Sequence, residues 1–493
     1  MPEKFGQYGK HRFWEMIPGI LVWTTFLLAI LASFFAPTIA VIFIIVFDLY
    51  WTLRVIYYII HMSAAYATYK KTIKLNWLKE LKKIKDWQKI HHVVMLPTYK
   101  EDVSIIRDAL QSIVDAKYDN EHFIIVIGGE EGDKENFAKY QKIIQKEFEG
   151  VFQHLMFTLH PRGLQGEIPG KGSNMNWMAH KLEPVLRKMG IGDENIIVSA
   201  FDVDTIPHQQ YFALLAYTYL TTEDPTHSSY QPVVLFSNNI WSSKAPVRIS
   251  AFGTTFWLLS ELIRPERLWT FSSHSMPWKM LKDVGFWETD LVSEDSRIFM
   301  QAFIHYEGHY RVTPIFLPVH MDAVSGIGYW DSLKALYKQQ RRWAWGVEHL
   351  PYMLEKFGEH PKISKKLKRK YLFNHLEGMY TWATAPLLIF VLGYLPFFVV
   401  RDESTALIAN SPFTLQFMMQ IATVGVFASG IMSFFFLPRR PQEVKPWNWL
   451  IIILQWALLP VTFVIFGAFP AIDAQTRFML GKYLGFNVTK KNR

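Results

Sequence analysis

Two apolar runs lie almost back to back near the start of the chain, and they constrain everything that follows. Ile17–Phe35 carries no charge, and after Ala36, Pro37 and Thr38 a second run extends from Ile39 to about Ile60. A bilayer core takes ~20 residues per helical span, so the pair reads as a membrane hairpin. A signal peptide is a poorer account of the first run, because no polar cleavage region separates it from the second. Asp48 and Arg54 fall inside the second run. Ionisable residues at such depth face a cavity or a partner, although snorkelling to the interface fits Arg54 equally. Three more apolar runs come late, at about Tyr380–Val400, Leu415–Leu437 and Trp447–Phe469.

Composition agrees with a membrane protein. Of 493 residues half are hydrophobic, 16% are aromatic and only 19% are charged. The chain has no cysteine, which excludes disulfides, thiolate metal sites and cysteine nucleophiles. The net charge of +9 suits anionic lipid or a phosphorylated substrate. No long Lys/Arg tract accompanies a nucleic-acid module, so no nucleic-acid partner is expected. Lys4, Lys10 and Arg12 precede the first span and a lysine-rich stretch follows the second, while the turn between them has neither Lys nor Arg. The positive-inside rule therefore predicts a cytoplasmic N-terminus and middle domain, in a plasma (inner) membrane protein. Five full spans would put the basic tail outside, against the same rule. The expected resolution is that the segment from Trp447 re-enters or tilts, with an interfacial helix over Ala471–Lys482.

The middle of the chain alternates strand-like and helical patterns. His91–Tyr99, His122–Gly129, Phe152–Leu159, Asn195–Asp204 and Gln231–Ile240 are runs rich in Val, Ile and Phe, separated by helical periodicity. This predicts a mostly parallel sheet covered on both faces. Ligands of such sheets bind at the carboxyl ends of the strands.

Four short stretches there carry polar chemistry. Asp202 and Asp204 close a strand and could share a hard cation such as Mg²⁺ or Mn²⁺; as a lone motif a turn or cap fits better. Lys171, between two glycines and before a helix, could meet a phosphate, or be a surface lysine in a plain loop. Glu294 and Asp295 start a helix and could supply a general base, or simply cap it. Gln339, Arg342 and Trp343 fall at i, i+3 and i+4 on one helical face. That face offers an amide, a cation and a ring, but an amphipathic helix on a membrane surface would look similar. Arg341 and Trp345 point to other faces, towards lipid or core.

In this order, between apolar runs, the stretches resemble the membrane-embedded family 2 glycosyltransferases, the cellulose synthase and hyaluronan synthase type. The matching pieces are LPTYKED (96–102), GKGSNMN (170–176), FDVD (201–204), SED (293–295) and QQRRW (339–343), with FNVTKK (486–491) similar to a gating-loop motif of cellulose synthases. The resemblance implies an α/β GT-A (Rossmann-like) cytoplasmic domain flanked by transmembrane α-helices. The divisions expected are a hairpin (1–65), the GT-A domain (66–329), interfacial helices (330–375), C-terminal membrane helices (376–470) and a basic tail (471–493).

It also implies roles. Tyr99 would flank the uracil, Lys171 would hold the diphosphate and Asp202 would face the nucleotide. Asp204 would ligate Mg²⁺ or Mn²⁺, and Asp295, beside Glu294, would deprotonate the acceptor. Gln339, Arg342 and Trp343 would lie at the acceptor end, and Phe486, Val488, Thr489 and Lys491 would form the gate. Two departures stand out. GGEEGD (128–133) replaces an Asp-Asp-Gly motif, leaving Glu130 or Glu131 to meet the uracil. FSSHS (271–275) replaces the family's acceptor motif, so His274 suggests a different acceptor or sugar.

The activity implied is inverting transfer of a hexose from a UDP-sugar to a glycan hydroxyl, processive and coupled to export. The rivals are a single transfer to a lipid-linked acceptor and a non-catalytic transport or scaffold protein.

Overall fold

The computed structural model describes residues 5–6, 9–399 and 406–484. The two early runs form long helices, Lys10–Phe35 and Pro37–Thr72, hinged at Ala36. Pro37 sits in the first turn of the second helix, where its missing N–H costs nothing. Among the described residues four helices are long and apolar enough to cross a membrane: these two, Asn410–Phe436 and Asn448–Met479. Lys365–Phe390 and Leu392–Val399 make a fifth if taken together, with a 44° bend at their junction. Pro386 lies just before that break and removes a backbone donor. Leu28, Phe34, Phe417 and Phe427 are each more than half exposed, as lipid-facing side chains are.

The last of these helices does not stop where the sequence suggested. It runs on to Met479, through a 3₁₀ turn at Gln455–Leu458 and a π turn at Val464–Ala468. Its final stretch, Phe469–Met479, buries Ala471, Ala474, Gln475 and Phe478. It packs against Lys10–Phe35 and the Tyr329–Ala344 helix. An ion pair joins Arg341 to Asp473 at 2.8 Å. Arg341 and Trp345 are thus core contacts: Trp345 is fully buried among Phe5, Phe478 and Tyr483.

Between the membrane helices lies one eight-stranded sheet. Its strands are β1 (His91–Pro97), β2 (Phe123–Glu130), β3 (His154–His160), β4 (Ile196–Ala200), β5 (Ile206–Pro207), β6 (Ser228–Leu235), β7 (His274–Pro277) and β8 (Arg311–His320), in the order β3-β2-β1-β4-β7-β6-β8-β5. The β3-β2-β1-β4 half is parallel, as expected. The other half is mixed: β7 runs antiparallel to both β4 and β6, and β5 runs antiparallel to β8. The expectation of a mostly parallel sheet therefore holds for one half only. Val93–Leu96 and Phe123–Ile127 are wholly buried, because the parallel half is covered on both faces. The Lys171–Met189 helix packs on β1, β2 and β3, while Ala245–Leu262 touches both β6 and the Pro37–Thr72 helix. The sheet is thereby seated directly on the membrane helices.

Candidate active site

The four parallel strands end side by side, and each delivers a polar or aromatic group at or just beyond its last residue. β1 leads to Tyr99, β2 ends on Glu130, β3 on His160, and β4 leads to Asp202. Next to them two helices begin, at Lys171 and at Glu294. Their N-terminal ends meet because residue 172 is glycine: a Cβ there would lie 2.9 Å from the Cβ of Glu294. Both helices therefore aim backbone N–H groups and the positive ends of their dipoles at one place, which favours an anion.

The rest of GKGSNMN holds this start in position. Ser173 Oγ donates to the carbonyls of Ile168 and Gly170, Asn174 Nδ2 to Gly128, and Asn176 Nδ2 to Trp287.

Lys171 occupies the centre. Its ammonium lies 2.7 Å from Asp202 Oδ1 and 2.9 Å from Asp295 Oδ1. Burial pulls its pKa down, but the charges of Asp202, Asp295 and Glu294 outweigh that and push it above the ordinary lysine value. The group stays charged. Glu294 is buried, and burial plus the neighbouring Asp295 raise its pKa above the usual carboxylate range. Asp202 Oδ2 accepts from Ser272 Oγ at 2.9 Å.

A cavity of about 1290 Å³ opens onto these groups. Of the residues singled out by sequence, Tyr99, Glu130, Lys171, Asp202, Glu294, Asp295, Gln339, Arg342 and Trp343 line it. Three do not. Asp204 is fully buried behind the wall, with Oδ2 accepting from the Asp322 backbone N–H at 2.8 Å. His274 is also fully buried; its Nδ1 bonds the Phe271 carbonyl, and burial lowers its pKa to about 4. Glu131 turns away to accept from the Arg162 backbone N–H. Of the two candidate acids after β2, only Glu130 is on the wall. Phe486, Val488, Thr489 and Lys491 lie outside the described residues.

The cavity brings in groups that sequence reasoning missed: Glu101, Arg162, Ser272 and Asp322. Glu101 and Ser272 stood inside quoted stretches; Arg162 and Asp322 carry no motif and are placed only by the fold. The same cavity continues among the membrane helices, past Arg54, Tyr58, Glu377, Trp382, Met418 and Trp456. Arg54 pairs with Glu377 at 3.1 Å. Among the described residues no three His, Asp or Glu side chains converge as a ready-made metal site. The two carboxylates of FDVD are split: Asp202 is on the cavity wall, where Mg²⁺ could join it to substrate phosphates and water, and Asp204 is buried behind it.

The sequence profile of glycosyl transferase family group 2 matches residues 197–470. That is more than half of the chain. The protein belongs to this family. Its sheet is the GT-A core of a family 2 glycosyltransferase, with apolar helices at both ends. No curated protein sequence matches the chain.

Among solved structures, a mannosyltransferase from Pyrobaculum calidifontis, in complex with GDP-Man and Mn²⁺, is similar over 82% of this chain and 99% of its own, at 15% identity and a TM-score of 0.36. Residues 1–349 of S. aureus TarS, in complex with UDP-GlcNAc, are similar over 71% of this chain and 93% of that one, at 13% identity and a TM-score of 0.31.

Proposed function

We propose that this glycosyltransferase transfers a hexose from a UDP-sugar to a glycan hydroxyl with inversion, and passes the growing product into the membrane. The observation that carries the reading is Lys171, a charged ammonium between Asp202 and Asp295 where two helices begin, on the wall of a cavity that reaches the membrane helices.

The chemistry follows from charge. Tyr99 and Glu130 frame the base. The diphosphate replaces the carboxylates as partner of Lys171, with Arg342 as a second cation. The acceptor hydroxyl then attacks the anomeric carbon, the bond to the diphosphate breaks, and its electron pair leaves on UDP. The hydroxyl proton goes to Asp295, which the diphosphate has freed from Lys171. One base suffices for inversion, whereas a hydrolase needs a flanking pair. Asp202, on the cavity wall, would hold a Mg²⁺ or Mn²⁺ ion together with the diphosphate, and the ion would supply Lewis-acid stabilisation of the leaving group; Asp204, buried behind the wall, would hold the turn that carries Asp202. Gln339 and Trp343 would position the acceptor sugar.

Processive synthesis is supported by the continuity of the cavity. Its membrane half mixes rings (Trp382, Trp456) with polar groups (Arg54, Glu377, Thr381), a surface suited to a polyhydroxylated chain. A single transfer to a lipid carrier is favoured by one feature, the apolar stretch at Phe390, Met418, Met419 and Phe463. The purified protein is expected to release UDP from UDP-glucose or UDP-GlcNAc with Mn²⁺, and to stop when EDTA is added. Mass analysis then separates the two readings: a ladder of chain lengths for the first, one organic-extractable product for the second. Failure with every common nucleotide sugar would leave the scaffold reading. The sheet domain and the tail are assigned to the cytoplasmic side of the plasma membrane; labelling of Lys491→Cys from outside intact cells would refute that side for the tail and mean five full spans.

A further inference from the structure

Behind Glu130 lies a buried histidine that the reaction above does not use. His160, the last residue of β3, is paired in register with Glu130 on β2. Its Nδ1 is 2.9 Å from Glu130 Oε2 and its Nε2 is 2.9 Å from Glu167 Oε2. The ring itself is 4% exposed. A neutral imidazole has one donor and one acceptor nitrogen. Here each nitrogen faces a carboxylate oxygen, so both must donate, and the ring has to carry a proton on each.

The other charges nearby leave this intact. From the Lys171–Met189 helix comes Trp177, edge-on to His160, with Lys181 over the indole at 4.4 Å. In the adjoining loops Glu131 accepts from the Arg162 backbone N–H, and the Arg162 guanidinium lies against Gly132 on the cavity wall. Burial alone lowers the pKa of His160, but the hydrogen bonds and charges of Glu130 and Glu167 reverse that and raise it.

We infer that His160 is an imidazolium clamp that fixes Glu130 as a one-oxygen acceptor for the base, and so selects a uracil nucleotide. The inference rests on the nucleotide-sugar reading above. Its geometry gives the base class. Glu130 spends Oε2 on His160 and is on the cavity wall. One remaining oxygen matches the single N3–H of uracil. Guanine presents two adjacent N–H donors that call for both oxygens of a carboxylate, which would pull Glu130 off His160. Adenine and cytosine present a ring nitrogen lone pair, which a carboxylate repels. The clamp also reaches the phosphate end. Glu167 lies four residues before Lys171, in the loop whose Ile168 N–H is tied to the Thr289 carbonyl at 2.8 Å. His160 thus joins the base acid to the segment that presents Lys171.

His160 is a positioning residue, and direct binding tests it without turnover. UDP and GDP, each with Mn²⁺, are titrated into the detergent-purified full chain from about pH 6 to about pH 9. UDP should bind more tightly than GDP. Its affinity should fall as pH rises through the raised pKa of His160, since losing that proton leaves a lone pair against a carboxylate. His160→Gln can serve only one carboxylate and cannot titrate; its UDP affinity should be about tenfold weaker at low pH, the loss of one charge-assisted hydrogen bond, and flat with pH. Glu167→Gln is a milder probe in case that variant folds poorly. It leaves Glu130 in place, removes one stabilising charge, and should move the pH midpoint downward. Equal or tighter GDP binding would overturn the base selection. A midpoint unmoved by Glu167→Gln would overturn the clamp. No binding of any nucleotide would instead strike at the nucleotide-sugar reading itself.

Discussion

The two halves of the cavity treat charge in opposite ways. At the carboxyl edge of the sheet, Lys171 is shared between carboxylates from different elements, and Glu294 sits buried beside Asp295. Every charge there has a competitor for its partner, so an arriving diphosphate can exchange places at little cost. In the membrane half, Arg54 has one acidic partner, Glu377, and lies among the rings of Tyr50, Trp51 and Tyr58. Among the described residues no second charge competes for either member of that pair. Contested charges suit chemistry, and settled ones suit passage.

Four variants break or sharpen this contrast. Asp295→Asn should lower kcat about a thousandfold, within the range seen when a general base is removed, while UDP binding is kept. Normal turnover would show that the contested end is not the reacting end. Lys171→Gln should weaken UDP binding about thirtyfold, from the loss of a charge-assisted contact, as read by titration calorimetry.

The membrane pair should behave otherwise. Arg54→Leu combined with Glu377→Leu removes both charges together, a change often neutral for folding. Single-turnover UDP release should change by less than about twofold, while product length shortens. Equal damage to both measurements would erase the distinction between the halves.

The smallest effect is expected at the join. Glu348 Oε1 accepts from the Ser293 N–H that precedes the Glu294 helix, and Oε2 accepts from the Trp345 indole and the Tyr483 hydroxyl. Glu348→Gln puts an amide N–H against one of these donors and should cost about 1–2 kcal/mol. Burial raises the pKa of Glu348 from 4.5 to about 7. Its contribution to stability is therefore full below pH 4.5 and lost as pH rises through 7. Thermal melts of Glu348→Gln should lack that part of the decline.

The sequence was legible where a signal is local. Continuous apolar runs marked β1 to β4, and the spacing in QQRRW put Gln339, Arg342 and Trp343 on one cavity-facing side. β7 and β8 escaped notice for a physical reason. β7 is four residues long and ends in Pro277; β8 carries Pro314 and Pro318, which ordinarily argue against a ladder. β8 tolerates them beside a register shift at Pro232/Val233 of β6. The mixed half of the sheet followed from these two strands. His160 and Glu167 escaped too, because nothing in their spacing announces that a strand end and a loop will close on one carboxylate. The joining of site and membrane into one cavity depends on helix packing, which no single stretch records.

Gly172 has no part in the chemistry, yet two helices can begin together only because nothing projects from it. A Cβ there would meet Glu294 at 2.9 Å and the Glu288 carbonyl at 3.3 Å. In a saturation library scored by product formed, residue 172 should tolerate substitution as poorly as residue 295. A reader of such a map would mark it as a reacting group, when what it supplies is empty space.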